Sequence, residues 1–239
     1  MSIWGKLGGA GLGLAIGGPI GGLLGAFAGH YLVDREGAVF GPAPRDVVLT
    51  TGLVALSAKM ARADGVVACS EVEAFSRVVI VPEEDRPNVE RLFRLAQATT
   101  DGFQAYAAQL AKLLADEPCL LEDIVDGLFL IAQADGAVHE KEIGYLREVS
   151  RIFGKDDEWF EAVLARHVVM PDDPYRVLGA NRAMSFPELR RKYRELVLEH
   201  HPDREIARGL PPEAVRIAND RLGAINAAWE RIERERKAA

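Results

Sequence analysis

The chain has 239 residues, 49% of them hydrophobic and 27% charged, and its 36 acidic and 29 basic side chains give a formal net charge of −7. This acidic balance lacks the broad basic footprint that binding to nucleic-acid phosphates requires, so it argues against DNA or RNA as a partner. The two cysteines, Cys69 and Cys119, are too few for a disulfide framework or a four-cysteine zinc module.

The N-terminal segment contains a long run without charged side chains. Between Lys6 and Asp34 lie 27 uncharged residues, which as a helix would extend about 40 Å and cross a bilayer with tilt. Glycine recurs at every fourth position, a spacing that lets two helices approach closely in lipid. We predict a transmembrane anchor over 1–33, a linker over 34–44, and a homodimer formed through the glycine groove. The groove glycines are Gly9, Gly13, Gly17, Gly21, Gly25 and Gly29.

Two other interpretations of this segment stay open on the sequence. Ala26-Phe27-Ala28 has the small-x-small form of a signal-peptide cleavage site, although Lys6 is the one charged side chain ahead of the apolar run. A disordered glycine-rich tail is the other alternative, but the run has no serine and no charge. The few flanking positive charges barely separate the two membrane orientations.

Residues 45–168 show helical rather than strand patterning throughout. Apolar side chains recur at three- and four-residue spacing, which is typical of amphipathic helices. About 120 residues of this kind can bury one core, so we predict a compact all-α bundle. The helical spacing appears near residues 46–63, 70–80, 88–98, 102–115, 119–134, 139–153 and 157–167.

This middle region contains an internal repeat. The sequence Ala-Arg-Ala-Asp-Gly-Val-Val around Asp64 returns 71 residues later as Ala-Gln-Ala-Asp-Gly-Ala-Val around Asp135. In each copy a glutamate follows the glycine by six positions, at Glu71 and Glu142. The pattern predicts a glycine-terminated turn and a new helix whose first turn carries an acid. It resembles the TerB family, in which this signature recurs in the two halves of the domain.

The repeated acids allow two roles. Their spacing matches the second half of an EF-hand loop, but the carboxylates of the first half are absent, which excludes a complete calcium site in either loop. In the interpretation that the TerB resemblance implies, the two halves instead share one divalent metal, which is bound by Asp64, Glu71, Asp135 and Glu142. The structural alternative is that each aspartate caps its turn and each glutamate stabilises a helix N-terminus.

The last region, residues 172–239, is predicted to form an antiparallel helical hairpin with two short flanking helices. Asp173 begins the short helix and Gly179 ends it, and Ser185 with Glu188 forms a capping box for the next helix. Apolar residues on that helix and on the final helix recur at helical spacing, so the two apolar stripes can pack together. The stripes are Phe186, Leu189, Tyr193, Leu196 and Val197, and Leu222, Ile225, Trp229 and Ile232.

The turn between these helices carries His201-Pro202-Asp203. Proline ends the first helix and stiffens the turn, which presents an imidazole and a carboxylate at the tip. The region holds 14 basic and 12 acidic side chains, whereas residues 34–171 hold 14 and 24. A basic helix on an acidic protein suits docking to an acidic protein surface; a solvated charged face and a DNA-reading helix are the alternatives. The arginines outside the apolar stripe are Arg190, Arg191 and Arg194.

Together these motifs resemble the J domain of DnaJ-type co-chaperones. The matching motifs are Asp-Pro-Tyr-Arg-Val-Leu-Gly at 173–179, Tyr-Arg-Glu-Leu at 193–196, His-Pro-Asp at 201–203 and Ile-Asn-Ala-Ala-Trp-Glu at 225–230. One departure is Lys192, where the family usually has a small residue. The sequence Gly-Leu-Pro-Pro-Glu at 209–213 and the opening Trp4-Gly5-Lys6 resemble the membrane-anchored DjlA-type members.

The resemblance implies a DnaK-type (seventy-kilodalton heat-shock) chaperone as partner, whose ATP hydrolysis the J domain stimulates. In that role His201, Pro202 and Asp203 contact the ATPase and its linker region. The arginines of the basic helix dock electrostatically on the chaperone, and Tyr193 belongs to the same binding surface. Because that partner is cytosolic, the C-terminal domains are expected on the cytoplasmic side of a bacterial inner membrane, below a single span.

No sequence motif supports an enzymatic activity. The chain contains no Ser-His-Asp arrangement, phosphate-binding loop or zinc motif, so we expect catalysis to belong to the partner. The runner-up function is a membrane-bound metal or stress sensor of the TerB type, for which the J domain is only a tether. Stimulation that depends on metal or on the middle domain would favour the sensor.

Overall fold

The computed structural model describes residues 45–63, 102–133, 138–168 and 173–238, with isolated positions between 75 and 97. Every regular element among these residues is a helix, which confirms the predicted all-α class. No helix in this part of the chain is long and apolar enough to span a membrane, and the predicted anchor over 1–33 lies outside it. The helices are α1 Arg45–Ala63, α2 Phe103–Leu113, α3 Pro118–Ala132, α4 Glu140–Ile152, α5 Asp157–His167, α6 Pro174–Val177, α7 Phe186–Glu199, α8 Pro202–Ala207 and α9 Pro212–Ala238.

The chain divides into two compact units, with the boundary between Phe153 and Gly154. From the sequence, the middle domain is predicted to end at 168, after α5. In the structure α5 belongs to the second compact unit, where Glu161 of α5 forms an ion pair with Arg176 of α6, and the domain bound at 168 stays a prediction. The helical periodicity therefore locates α5 correctly but does not show which neighbour it packs against.

The core of the first unit is built around α1 and α3. Twelve of the 15 residues of α3 are buried, and every residue of α1 from Val48 to Met60 is buried too. A helix that is buried on all sides belongs to the interior rather than the surface, even where it carries polar side chains, as α3 does at Asp123 and Asp126. The hydroxyl of Tyr145 on α4 donates a hydrogen bond of 2.8 Å to the carbonyl of Leu56, which fixes α4 against α1.

The core of the second unit lies between α7 and α9, as the two apolar stripes predict. The indole of Trp229 stacks against the ring of Tyr193 at 4.8 Å between centroids, and against Phe186 at 5.5 Å. Leu189 and Ile225 are fully buried beside this stack. Offset aromatic stacking adds to the stabilisation from buried apolar area, so the stack holds the two long helices together.

The short helix α6 has the boundaries that its sequence predicts. The carboxylate of Asp173 accepts a hydrogen bond of 3.2 Å from the backbone N–H of Tyr175, and Gly179 ends the helix at φ +55°. The N–H of Ala180 donates to the carbonyl of Tyr175 at 2.8 Å, which satisfies a carbonyl that the helix end leaves open. The ammonium of Lys192 donates to the Gly179 carbonyl, so the departure at this position adds a contact between α7 and the end of α6.

Candidate functional site

The N-terminus of α7 carries the predicted capping box. The backbone N–H and the hydroxyl of Ser185 both donate to Oε2 of Glu188, at 2.8 and 2.7 Å. These bonds favour the charged carboxylate and lower the pKa of Glu188 below its ordinary value. A negative charge at this position also complements the helix dipole, so the first turn of the basic helix is firmly defined.

The His-Pro-Asp turn joins α7 to α8 without an intervening flexible segment. Helix α7 ends at Glu199, His200 is its C-cap, and α8 begins at Pro202 with His201 as N-cap. The side chain of His201 accepts a hydrogen bond from the backbone N–H of Asp203 at 3.3 Å. The side chains of His201 and Asp203 are 45% and 80% exposed, so the turn presents both to solvent.

The cap at His201 determines which nitrogen of its ring faces outward. Nδ1 accepts from the backbone of Asp203, so in the neutral imidazole the proton lies on Nε2. The nearest carboxylate oxygen of Asp203 lies 3.5 Å from Nδ1. The turn therefore offers a ring N–H donor beside an exposed carboxylate, which suits recognition of polar groups on a partner.

Helix α8 is fixed at both of its ends. Nη1 of Arg204 donates to the carbonyl of Glu199 at 2.9 Å, across the turn. Gly209, at φ +69°, ends the helix, and the N–H of Leu210 donates to the carbonyl of Glu205 at 3.1 Å. This hydrogen bond belongs to a C-cap that needs glycine, because a residue with a side chain at this positive φ would strain the backbone.

The outer face of α7 carries the predicted basic residues. Arg190, Arg191 and Arg194 are all exposed, and they line a shallow surface groove together with Leu198, which is 73% exposed. Nε of Arg191 lies 3.8 Å from Oε1 of Glu195 one turn later, and an ion pair this exposed contributes little to stability. A groove that combines an exposed apolar side chain with several arginines has the composition of a protein-binding surface.

Tyr193 is not part of the lining of that groove. Its ring packs on Trp229 and its hydroxyl donates to Oδ1 of Asn226 at 3.0 Å. The side chain is half-buried, and these contacts make it a packing residue between α7 and α9. Its direct participation in binding stays a prediction.

A cluster of arginines around Tyr175 was not predicted from the sequence. Arg236, near the end of α9, donates to the hydroxyl of Tyr175 at 3.1 Å and to the carbonyls of Arg182 and Met184 at 2.6 and 3.1 Å. The guanidinium groups of Arg182 and Arg236 also lie over the ring of Tyr175. These contacts join residues up to 61 positions apart, and no local pattern indicates them.

The structure describes one of the four acids proposed to bind a metal. Oε2 of Glu142 accepts a hydrogen bond of 2.8 Å from the backbone N–H of His139, which is the capping role of the structural alternative. Asp64, Glu71 and Asp135 lie outside the described residues, and those that are described contain no group of three potential metal ligands. Binding of a divalent metal by these four acids therefore stays a prediction.

Three family models match the chain in succession. The co-chaperone DjlA transmembrane domain matches residues 1–55, the tellurite resistance protein TerB model matches 50–165, and the DnaJ domain matches 173–239. The last match covers α6 to α9 and includes the exposed turn and the basic face of α7. The TerB match extends to 165, so it includes most of α5.

Two similar relatives align with nearly the whole chain, and a third aligns with a shorter part of it. The co-chaperone protein DjlA of Photobacterium profundum is 28% identical over 276 residues, covering 98% of this chain and 99% of the relative. The Coxiella burnetii protein of the same name is 27% identical over 263 residues, with 97% of each chain covered. The Shewanella oneidensis protein is 45% identical over 64 residues, 27% of this chain and 24% of the relative. No solved structure gives a significant match. With its transmembrane, TerB and DnaJ matches in this order, the chain belongs to the DjlA-type family of membrane-associated J-domain co-chaperones.

Proposed function

We propose that this protein recruits a DnaK-type chaperone to the membrane and stimulates its ATP hydrolysis through His201, Pro202 and Asp203. The observation that carries the proposal is the His-Pro-Asp turn, which is exposed at its side chains and fixed at its backbone. A contact surface that is already ordered loses less conformational entropy on binding. The chain itself performs no reaction in this scheme, and catalysis belongs to the partner.

Docking is proposed to begin at the basic face of α7. Arg190, Arg191 and Arg194 are exposed along one side of the helix, and this arrangement attracts an acidic surface over several ångströms. Electrostatic steering mainly accelerates encounter, whereas close contacts at the turn govern the stimulation of the docked chaperone. The division predicts two kinds of variant: arginine variants that weaken docking, and turn variants that dock normally but stimulate poorly.

The N-terminal segment is proposed to be a single-pass anchor in the bacterial inner membrane, with the later domains in the cytoplasm. The match to the DjlA transmembrane domain supports membrane association, and the 27 uncharged residues after Lys6 provide the length for one span. The cytoplasmic orientation follows from the location of an ATP-dependent partner. Homodimerisation through Gly9 to Gly29 is a further part of the proposal, supported by the four-residue spacing of the glycines.

The domain scheme proposed from sequence is an anchor over 1–33, a TerB-like domain over 45–168 and a J domain over 172–239. The family matches support three successive parts. Because α5 packs with α6, we expect a stable fragment of the J domain to begin at Gly154 rather than at 172. A stable shorter fragment lacking α5 would argue against that choice.

A single-turnover ATPase assay with purified DnaK-type chaperone tests the function. Full-length protein in detergent should raise the hydrolysis rate, and the Asp203→Asn variant should lose most of the stimulation. The matched control is Asp220→Asn, which changes an exposed acid on α9 that pairs with Arg216. Equal stimulation by wild type and Asp203→Asn would refute the assigned role of the turn.

A further inference from the structure

A buried polar pair lies directly behind the His-Pro-Asp turn. His200, the residue before the turn, and Arg221, in the middle of α9, are 7% and 3% exposed. Nη1 of Arg221 lies 3.0 Å from Nδ1 of His200. A guanidinium group has no acceptor, so Arg221 is the donor and Nδ1 of His200 is unprotonated. The contact therefore has one possible direction, from α9 to the end of α7.

Polar groups are also buried on the other side of the turn. Glu205 of α8 and Glu213 of α9 are 4% and 3% exposed, and Oε2 of Glu205 lies 3.7 Å from Nη1 of Arg208. Charged side chains are rarely buried without partners, because desolvation is costly. The helix that follows the turn packs on α9, and each of the two helices buries one carboxylate, at Glu205 and at Glu213.

We propose that Arg221 and His200 are positioning residues that set the direction in which the turn faces the chaperone. His200 is the C-cap of α7 and is followed directly by His201, the N-cap of α8, so any shift of His200 moves the turn. The hydrogen bond holds that C-cap against α9, whose packing on α7 fixes the frame of the unit. This inference rests on the proposed stimulation of a chaperone ATPase, and it adds a determinant outside the contact surface.

The test uses the full-length protein and combines single-turnover ATPase titrations with hydrogen exchange. Arg221→Met keeps an unbranched side chain but removes the donor. It should lower the maximal stimulated rate about tenfold, which is less than the loss of about 100-fold that a displacement of about 1 Å can cause, because one hydrogen bond is lost and the helix packing remains. The half-saturating concentration should change less than about twofold, since the arginines of α7 are untouched. The control is Arg216→Met, an exposed arginine five residues earlier on the same helix, which should behave as wild type.

A second pair of variants keeps the test decisive if Arg221→Met disturbs folding. His200→Gln retains an acceptor for Arg221, whereas His200→Leu does not. We expect His200→Gln to stimulate at least about threefold better than His200→Leu, because only the latter leaves the buried donor without this acceptor. Equal stimulation by these two variants would overturn the proposal, as would an unchanged maximal rate in Arg221→Met.

Hydrogen exchange separates failure of this inference from failure of the proposed function. Amides at 201–205 should exchange faster in Arg221→Met than in Arg216→Met, whether or not a chaperone is present. If wild type fails to stimulate, the proposed function is wrong, while faster exchange still supports the positioning of the turn. If wild type stimulates and exchange at 201–205 is the same in both variants, the positioning role is wrong.

Discussion

Replacing Arg236 by methionine should weaken the contacts between the end of α9 and the first residues of the J domain. The change removes three hydrogen bonds, to the hydroxyl of Tyr175 and to the carbonyls of Arg182 and Met184. Each contributes about 1 kcal/mol net, and the guanidinium over the Tyr175 ring adds about 0.5 kcal/mol at an exposed site. Since Arg236 is partly exposed, solvent screening reduces the sum to about 2 kcal/mol.

Hydrogen exchange on the full-length protein measures this loss locally. A change of about 2 kcal/mol accelerates exchange about 30-fold in amides that open with this contact, which should include those of 175–184. The control is Arg234→Met on the same helix, where Nε donates to the carbonyl of Glu230 within the helix at 3.3 Å. If the two variants differ by less than about threefold in exchange, the contacts of Arg236 do not stabilise the domain and this reasoning is refuted.

Three further predictions concern stability. Trp229→Ala should destabilise the second unit by about 4 kcal/mol, because a large buried aromatic is removed, and denaturant unfolding would contradict this if the loss were below about 1.5 kcal/mol. Tyr145→Phe should cost about 1 kcal/mol from the lost bond to Leu56. Burial raises the pKa of Tyr145, so the hydroxyl keeps its proton more firmly in the folded protein than in the unfolded chain. The free energy of unfolding of the wild type should therefore fall as the pH rises above about 10 and through the raised pKa, and Tyr145→Phe should lack this fall. The bonds from Ser185 lower the pKa of Glu188, so the stabilisation from its carboxylate is present above the ordinary pKa and disappears as the pH falls through the lowered pKa. Glu188→Gln should therefore flatten the loss of helicity that circular dichroism detects at acid pH. An unchanged pH profile would count against the capping box.

Local signals in the sequence were enough for the elements that carry the site. The turn at His201 to Asp203, the capping box at Ser185 and the stop at Gly179 each depend on interactions within a few residues. The apolar stripes of α7 and α9 follow from helical periodicity alone, and the structure confirms their packing around Trp229.

Contacts between distant residues were not predictable in the same way. The bond from Arg236 to Tyr175 joins two ends of a domain, and arginine near a helix C-terminus is otherwise an ordinary solvent-facing residue. The assignment of α5 depends on Glu161 meeting Arg176 across the region between the predicted domains. Helical periodicity gives the location of an element but not its neighbour.

Arg221 is a case in which the sequence did contain a signal. It precedes Ile225 by four residues, so helical geometry places it on the buried face of α9. A charged residue on an apolar face predicts a buried partner, and in the structure His200 lies 3.0 Å away. Its charge alone would favour solvent, whereas its spacing on α9 favours the interior.

The central claim is that the His-Pro-Asp turn stimulates the ATPase of a DnaK-type chaperone. The most direct measurement is single-turnover ATP hydrolysis by that chaperone with full-length wild type and with His201→Gln. We expect stimulation by wild type and almost none by His201→Gln, while circular dichroism shows the same helical content for both. Stimulation of equal size by the two proteins would contradict the claim.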